Sequence, residues 1–289
     1  MNRIALGTAQ FGLNYGISNR TGQVTRSQAM SMMQLATLNN IDTLDTAISY
    51  GESEVCLGEL GIHGFKIVTK LPVFPDDCED LTTWVQQQIN ASLKRLGVSM
   101  VYGLILHRPE QLLEKNGKIL YEALQGLKGK GQVQKLGVSI YSPSELDALI
   151  PRYTFDLVQA PFNLLDRRLQ NTGWLYRLKD VGVEVHTRST FLQGLLLMKK
   201  EEMLTKFSPW SAIWQQWHKW LLDSELTSLQ ACLSFPLSFP EIDRVVVGAD
   251  SSIQLSEILR VNDFLLTNEK PDLQCEDEKL INPSNWGSL

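Results

Sequence analysis

Cysteine is scarce in this 289-residue chain, and the four residues present form no CxxC pair and no metal-type spacing. They are Cys56, Cys78, Cys232 and Cys275. The sequence therefore predicts free thiols in a reducing compartment and no metal site.

Long apolar runs and an excess of one charge are also missing. No run approaches the roughly 18–20 residues that cross a bilayer, and the opening MNRIALGTAQFG lacks the apolar segment of a secretory signal. The net charge is -5 with the two signs well mixed, which argues against nucleic-acid and membrane-surface partners. With 43% hydrophobic and 20% charged residues, we expect a soluble cytoplasmic enzyme.

What is present is an alternation of short β-rich apolar runs with stretches of helical periodicity. The predicted strands are Arg3–Gly7, Thr43–Asp45, Lys66–Thr69, Tyr102–Leu106, Leu136–Ser139, Asp156–Gln159, Val183–His186 and Arg244–Val247. The predicted helices are Ser27–Asn39 (with Ser27 as N-cap), Glu52–Leu60, Leu81–Leu96, Lys118–Lys128, Ser144–Leu149, Gln170–Asp180 and Ile253–Phe264. No composition break divides them, so we predict one (β/α)8 TIM-barrel domain over residues 1–289. The alternative is an open Rossmann-like sheet, which the lack of a GxGxxG after the first strand disfavours.

Two regions fall outside these units. Leu195–Ser224 is a long insertion between strands 7 and 8 with tryptophans at helical spacing. We predict that they form one helix face packed on the barrel, and the alternative is a lid over the substrate site. The tryptophans are Trp210, Trp214, Trp217 and Trp220. The acidic tail after Thr267 is predicted to be a fraying surface extension.

Polar side chains lie at the predicted strand ends, where (β/α)8 enzymes place their chemistry. The strand-end residues are Asp45, Lys70, His107, Ser139 and Gln159, and Tyr50 lies in the loop after the second strand. Taken singly, Asp45 could cap the following helix and Tyr50 could pack in the core. Lys70 and His107 could be solvent-exposed loop residues. Together they suggest a catalytic set.

Carbonyl reduction needs these residue types. A hydride that reaches a carbonyl carbon leaves an alkoxide, which a tyrosine can protonate. A nearby lysine ammonium stabilises the phenolate, and a buried carboxylate keeps the lysine charged. A neutral histidine can donate a hydrogen bond that orients the carbonyl oxygen. The sequence therefore favours a reductase.

Several segments resemble the aldo-keto reductase family over nearly the whole chain. IDTLDTAISYGESEVCLGELG (Ile41–Gly61) is similar to its signature, KIVTKL (Lys66–Leu71) to its lysine strand and LILHRP (Leu104–Pro109) to its histidine strand. KLGVS (Lys135–Ser139), LVQAPFNLLDRR (Leu157–Arg168) and VVVGADSSIQLSEIL (Val245–Leu259) are similar to its fifth, sixth and eighth units. The resemblance implies an NADP(H)-dependent reductase in which Tyr50 donates the proton, Asp45 and Lys70 tune it, and His107 orients the carbonyl.

The resemblance also implies the cofactor residues. Gly7 and Thr8 would lie beneath the nicotinamide, and Ser139 and Gln159 would hold its carboxamide. Arg188 occupies the position of a ring that stacks on the nicotinamide. The positions near the pyrophosphate are Ser189, Phe191 and Gly194, and those near the ribose 2′-phosphate and adenine are Gly248, Ala249, Asp250, Ser251, Ser252, Gln254 and Glu257. A phosphate site after strands 7 and 8 is also expected of the barrel, since backbone N–H groups and a helix N-terminus meet there.

The chain departs from the family at three places. Ile140 replaces a common asparagine, and Arg188 replaces an aromatic residue that stacks on the nicotinamide. Arg188 could stack in its place, bind an anionic substrate, or pair with Glu184 or Asp166. The basic residues that grip the 2′-phosphate are replaced by Asp250, Ser251, Ser252 and Gln254, which leaves NAD(H) as a second candidate cofactor.

Two other functions are open from the sequence. One is a Schiff-base aldolase or lyase that uses Lys70 as nucleophile, although a close Asp45 would work against it. The other is a non-catalytic cofactor-binding regulatory subunit. The expected partner is a small carbonyl compound, and Arg167, Arg168 and Arg188 suggest an anionic or sugar-derived one. The sequence favours no oligomeric state.

Overall fold

The computed structural model describes residues 2–261, 264 and 271–289. Its strands are β1 (Ile4–Gly7), β2 (Thr43–Asp45), β3 (Lys66–Leu71), β4 (Val101–Leu106), β5 (Val133–Ser139), β6 (Leu157–Pro161), β7 (Glu184–Arg188) and β8 (Arg244–Gly248). Each strand pairs in parallel with the next along the chain, and β8 pairs with β1, so the sheet closes. This confirms the predicted (β/α)8 barrel. β7 runs two residues beyond its predicted end and includes Arg188.

The helices lie between and after these strands. They are α1 (Ala9–Gly12), α2 (Arg26–Leu38), α3 (Ser53–Leu60), α4 (Leu81–Leu96), α5 (Gly117–Gly129), α6 (Ser144–Leu149), α7 (Arg168–Asn171), α8 (Trp174–Asp180), α9 (Ser211–Asp223), α10 (Ser228–Leu237), α11 (Ser252–Arg260) and α12 (Glu278–Ile281). Short 3-10 helices cover Pro109–Leu113, Leu192–Leu197, Lys200–Glu202, Thr205–Trp210 and Pro283–Ser288. Among the described residues, none of the helices has the length and apolar character that a bilayer span requires.

Three helix predictions need correction. The N-cap of α2 is Thr25, whose side chain accepts from the Gln28 amide at 3.3 Å, so Ser27 lies inside the helix. The predicted helix Gln170–Asp180 is two helices, α7 and α8, because Gly173 adopts φ 77° between them. The helix predicted over Ile253–Phe264 is α11, which ends at Arg260. Residues 262–263 lie outside the described residues.

Alternation along the strands divides the core into two parts. On β3, Ile67 and Leu71 belong to the main core between the sheet and the helices. Val68 packs instead with Ile105 and Leu157 in a separate small cluster. Because side chains alternate along a strand, Lys70 shares the inward face with Val68 and lies nearer the C-terminal end of the barrel.

The insertion and the tail both pack against the fold. On α9, Trp214, Trp217 and Trp220 are buried in the main core, as the packed-face interpretation predicts. Trp210 instead ends the 3-10 helix before α9, is half-buried, and donates to Asp277 Oδ2 at 3.1 Å. The prediction of a fraying tail is wrong for residues 271–289, because four of their apolar side chains (Leu273, Leu280, Ile281 and Trp286) are buried. Trp286 is 4% exposed, with its ring centroid 4.9 Å from that of Phe207. Residues 268–270 of the predicted tail lie outside the described residues.

Candidate active site

A buried ion pair lies at the C-terminal end of the barrel. Lys70 Nζ donates to Asp45 Oδ1 at 2.6 Å and to the carbonyl oxygen of Thr46 at 2.8 Å. Lys70 is 1% exposed and Asp45 4% exposed. Burial alone would lower the pKa of Lys70, but the charges of Asp45 and Tyr50 and hydrogen bonds to both outweigh it and raise that pKa. Lys70 is therefore an ammonium, and Asp45 caps no helix.

Tyr50 lies directly above this pair. Lys70 Nζ is 4.9 Å from the centroid of the Tyr50 ring. The turn that carries Tyr50 packs so closely on α1 that a Cβ at Gly12 would lie 1.8 Å from the Tyr50 carbonyl oxygen. Gly51 follows with φ 51°, a conformation that favours glycine. These two glycines allow the close packing of the turn, and Gly12 was not identified from the sequence.

His107 lies beside Tyr50. Their ring centroids are 6.0 Å apart in an edge-to-face arrangement, and His107 Nδ1 is 3.3 Å from Ser49 Oγ. Burial, followed by the charges of Lys70 and Arg188, lowers the pKa of His107 from 6.5 to about 4. His107 is therefore neutral near pH 7. Its side chain can donate a hydrogen bond without carrying a charge.

A hydrogen-bond chain extends the pair across the barrel. Gln159 Nε2 donates to Asp45 Oδ2 at 2.7 Å, and Ser139 Oγ is 3.3 Å from Gln159 Oε1. The register explains this contact, because Ser139 on β5 is paired directly with Gln159 on β6. Ser139 and Gln159, which were predicted to bind the carboxamide, thus also help to position the Asp45 carboxylate, which in turn positions Lys70.

A cavity of about 390 Å³ opens beside Tyr50 and runs across the β7 and β8 loops to α11. Its lining includes these residues predicted from the sequence: Gly7, Thr8, Asp45, Tyr50, Gln159, Arg188, Ser189, Phe191, Gly194, Gly248, Asp250, Gln254 and Glu257. Predicted residues outside the lining are Lys70, His107, Ser139, Ala249, Ser251 and Ser252. Ser251 caps α11, and Ser252 contacts Gln28. The size suits a small-molecule site.

Several lining residues were not singled out from the sequence, although Phe11–Gln23 and Leu195–Trp220 were expected to shape the pocket. The residues not singled out are Ala9, Gln10, Tyr15, Gly16, Ser18, Thr190, Gln193, Leu197, Ser228, Leu229, Val246, Val247 and Ile258. Tyr15 and Ser18 belong to the loop before α2, and this loop contacts the β7 loop where the Ile17 amide donates to the Gln193 carbonyl at 3.2 Å. Only the distant pairing of two loops brings these residues to the cavity.

The loop after β7 has an uncommon backbone conformation. Ser189, Leu192 and Gln193 have φ of 63°, 48° and 53°. Asn163, which is fully buried, donates to the Ser189 carbonyl at 3.0 Å and helps to hold this loop. The hydroxyl of Thr190 is buried on the cavity wall, with no hydrogen-bond partner among the described residues. An unpaired donor here suits a polar ligand.

Arg188 forms neither of the ion pairs considered from the sequence. Glu184 pairs with Lys135 and with His186, and Asp166 pairs with Arg168. Arg188 Nη2 instead donates to the carbonyl oxygen of Ile140 at 3.0 Å, and Nη1 to Ser189 Oγ at 3.2 Å. The guanidinium carbon lies 4.6 Å from the centroid of the Tyr141 ring. Arg188 is thus a cation on the cavity wall with no carboxylate partner among the described residues.

Arg167 and Arg168, in contrast, are committed to contacts within the fold. Arg168 binds Asp166 and Glu278. Arg167 donates to the carbonyl oxygen of Pro271 at 3.0 Å. Neither residue lines the cavity. Of the three arginines that suggested an anionic substrate, only Arg188 lies on the cavity wall.

The family model that matches this chain is the aldo/keto reductase family, over residues 3–273. The chain belongs to this family. The resemblance identified in the sequence is thereby confirmed.

Individual relatives agree with this assignment. The chain is 25% identical over 220 residues to aldo-keto reductase YhdN of Bacillus subtilis (strain 168), which covers 71% of this chain. The matched part spans 62% of that relative's length.

Solved structures share the fold of this aldo/keto reductase. One is aldo-keto reductase AKR11C1 from Bacillus halodurans in its holo form, with a TM-score of 0.72, 20% identity and coverage of 92% of this chain and 88% of that chain. Another is the glycerol dehydrogenase AKR11B4 from Gluconobacter oxydans, with a TM-score of 0.71, 22% identity and coverage of 93% and 88%.

Proposed function

We propose that this aldo/keto reductase is a soluble cytoplasmic enzyme that reduces an aldehyde or ketone to an alcohol with NADPH or NADH as hydride donor. Tyr50 is the general acid. One observation carries the proposal: the Lys70 ammonium lies 4.9 Å from the centroid of the Tyr50 ring and is held by Asp45 at 2.6 Å, while Tyr50 lines the cavity.

The residues around the cavity fit a nicotinamide dinucleotide. Gln159 presents an amide that can hold a carboxamide, and Gly7 and Thr8 offer a close approach for a flat ring. The unpaired hydroxyl of Thr190 is a donor for a phosphate oxygen. Such a cofactor, when bound, supplies the hydride.

The side chains of this chain supply the proton and the orientation. As hydride reaches the carbonyl carbon, negative charge develops on the carbonyl oxygen, and the Tyr50 hydroxyl gives its proton to that oxygen. The resulting phenolate is stabilised by the Lys70 ammonium. Neutral His107, beside Tyr50, donates a hydrogen bond to the same oxygen. One hydride and one proton are added, and the product is the alcohol.

The position of Lys70 weighs against the aldolase alternative. A Schiff-base lysine must lose its proton, whereas Lys70 is buried, paired with Asp45, and has a raised pKa. Treatment with borohydride and a carbonyl substrate should leave no covalent adduct on Lys70. An adduct detected by mass spectrometry would favour the aldolase.

The experiment that tests the proposal is Tyr50→Phe. This variant removes only the hydroxyl, so carbonyl reduction should fall by about 100-fold or more while dinucleotide affinity stays close to that of the wild type. Tyr121→Phe, on α5, is a matched control that should keep full activity, because Tyr121 contacts Gln125 and Thr154 away from the cavity. Full reductase activity of Tyr50→Phe would overturn the proposal, and so would a wild-type protein that turns over no carbonyl.

We also propose that the substrate is an anionic carbonyl compound, such as an acidic sugar derivative. Arg188 is a half-buried cation on the cavity wall without a carboxylate partner among the described residues. The guanidinium of Arg188 would be stabilised by a ligand that carries a carboxylate or another negative charge.

A further inference from the structure

The far end of the cavity is formed by the turn after β8 and the start of α11. Asp250, Gln254 and Glu257 line it there. Gln10 closes this end from the β1 side, because a Cβ at Gly248 would lie 2.6 Å from Gln10 Nε2. If a dinucleotide binds with its nicotinamide beside Tyr50, its adenosine half must lie at this end.

Negative charge dominates this end. Asp250 and Glu257 are both carboxylic acids, and the cation that lines the cavity, Arg188, lies at the end of β7 beside Ser189. The basic residues before and at the start of α2, Arg20 and Arg26, do not line the cavity and form exposed ion pairs with Glu202 at 3.4 Å and with Glu59 at 2.8 Å. Within the described part of the chain, no lysine or arginine lines the adenosine end of the cavity.

Asp250 is held in a fixed position. Its Oδ1 accepts from Asn19 Nδ2 at 3.3 Å, and its backbone amide donates to Gln254 Oε1 at 2.7 Å. Burial raises the pKa of Asp250, and hydrogen bonds from Gln10 and Gln254 work in the opposite direction. A carboxylate placed in this way can accept hydrogen bonds from the free hydroxyls of a ribose, as acidic residues do in NAD-binding folds.

The same carboxylates disfavour a ribose that carries a phosphate. A 2′-phosphate brings close to two negative charges and needs cationic or N–H donors around it. Here it would meet the half-buried Asp250, where charge repulsion is less screened than in bulk water, and the exposed Glu257 on α11.

We propose that Asp250, together with Glu257, selects NAD(H) over NADP(H) in this enzyme. The selectivity rests on the proposed dinucleotide binding and adds to it the identity of the cofactor. Asp250 accepts from the ribose hydroxyls of NAD(H) and repels the 2′-phosphate of NADP(H).

The test is a binding measurement without substrate. Purified full-length protein is titrated with NADH and with NADPH at pH 7.5, and binding is followed by calorimetry and by quenching of tryptophan fluorescence. We expect the Kd for NADH to be lower than that for NADPH by about tenfold or more. The preference should shrink in high salt, which screens the repulsion.

Substitutions at Asp250 test whether its charge, and not a general effect on folding, sets the cofactor preference. Asp250→Asn should weaken NADH binding and tighten NADPH binding, so that the ratio of the two Kd values falls by about tenfold. Asp250→Ser, which matches the neighbouring serines, should act in the same direction if Asp250→Asn folds poorly. Asp223→Asn is the matched control, because Asp223 lies on α9 in an exposed pair with Lys219 and should leave the ratio unchanged.

The outcomes distinguish this inference from the function on which it rests. Equal or tighter binding of NADPH by the wild-type protein would overturn the selectivity while leaving the reductase intact. A ratio unaffected by Asp250→Asn would overturn the assignment to Asp250. Binding of neither dinucleotide at micromolar concentrations would overturn the proposed function itself, and the selectivity with it.

Discussion

Replacing Asp45 with Asn removes the carboxylate that neutralises a buried ammonium. Lys70 is 1% exposed and would keep only neutral acceptors, among them the Thr46 carbonyl oxygen at 2.8 Å. Removing one partner of a buried ion pair costs roughly 3–5 kcal/mol, because the other charge stays buried without compensation. We expect Asp45→Asn to lower the free energy of unfolding by about this amount, out of a total of about 5–15 kcal/mol for an ordinary domain.

Lys70→Met provides the second side of a double-mutant cycle. This change leaves the Asp45 carboxylate with the Gln159 amide at 2.7 Å but without its cation, and it should also cost roughly 3–5 kcal/mol. The double variant Asp45→Asn/Lys70→Met removes both charges and keeps the side-chain volumes similar. It should cost no more than the worse single variant, which corresponds to a coupling energy of about 3 kcal/mol or more.

The assay is urea unfolding of the apoprotein at pH 7.5, followed by fluorescence of the seven tryptophans. The control cycle uses Lys219 and Asp223, which lie 2.7 Å apart on α9 with side chains 75% and 57% exposed. Exposed pairs at this spacing couple by only about 0.3–0.5 kcal/mol. Additive losses in the Asp45–Lys70 cycle would refute the reasoning, since the pair would then stabilise the fold no more than a surface pair.

Three further predictions concern the same site. The pKa of His107 is lowered to about 4, so its contribution to stability is present above pH 6.5 and is lost as the pH falls toward 4. Between pH 7 and pH 4, the wild-type free energy of unfolding should fall by on the order of 3 kcal/mol through His107, as measured by urea unfolding. His107→Gln should abolish this part of the decrease. Gly12→Ala, whose Cβ would lie 1.8 Å from the Tyr50 carbonyl oxygen, should cost stability and activity, whereas Gly126→Ala, with no atom within 4 Å, should gain about 0.5–1 kcal/mol. Arg188→Met should raise KM for a carboxylated benzaldehyde far more than for benzaldehyde itself, and equal increases would contradict an anion-binding role.

The fold could be predicted because its signals are local and repeated. Each strand is a short apolar run followed by a helical stretch, so errors of a few residues at one boundary leave the order intact. β2 has the same bounds in prediction and structure, whereas β5 begins at Val133, three residues before its predicted start. The strand-end rule then brings Asp45 and Lys70 to one end of the barrel, and they form the ion pair there.

Features that depend on distant partners could not be predicted. Residues 271–289 look polar in sequence, yet four buried apolar side chains at irregular spacing (Leu273, Leu280, Ile281 and Trp286) pack this segment against the fold. Position 12 must be a glycine only because the turn that carries Tyr50 approaches it too closely for a side chain. No local pattern shows such an approach, because it arises where two loops meet after the barrel has closed.

Arg188 shows how the structure decides between alternatives that the sequence leaves equal. Its possible partners were Glu184 and Asp166, which are near in sequence and opposite in charge. In the structure, Glu184 accepts a hydrogen bond from Tyr102 and pairs with Lys135 and His186, and Asp166 pairs with Arg168. Because both carboxylates are occupied, the guanidinium is left with the Ile140 carbonyl, the Ser189 hydroxyl and the Tyr141 ring. Arg188 is therefore a cation on the cavity wall that forms no ion pair with a carboxylate of the described residues, and the proposed anionic substrate rests on this observation.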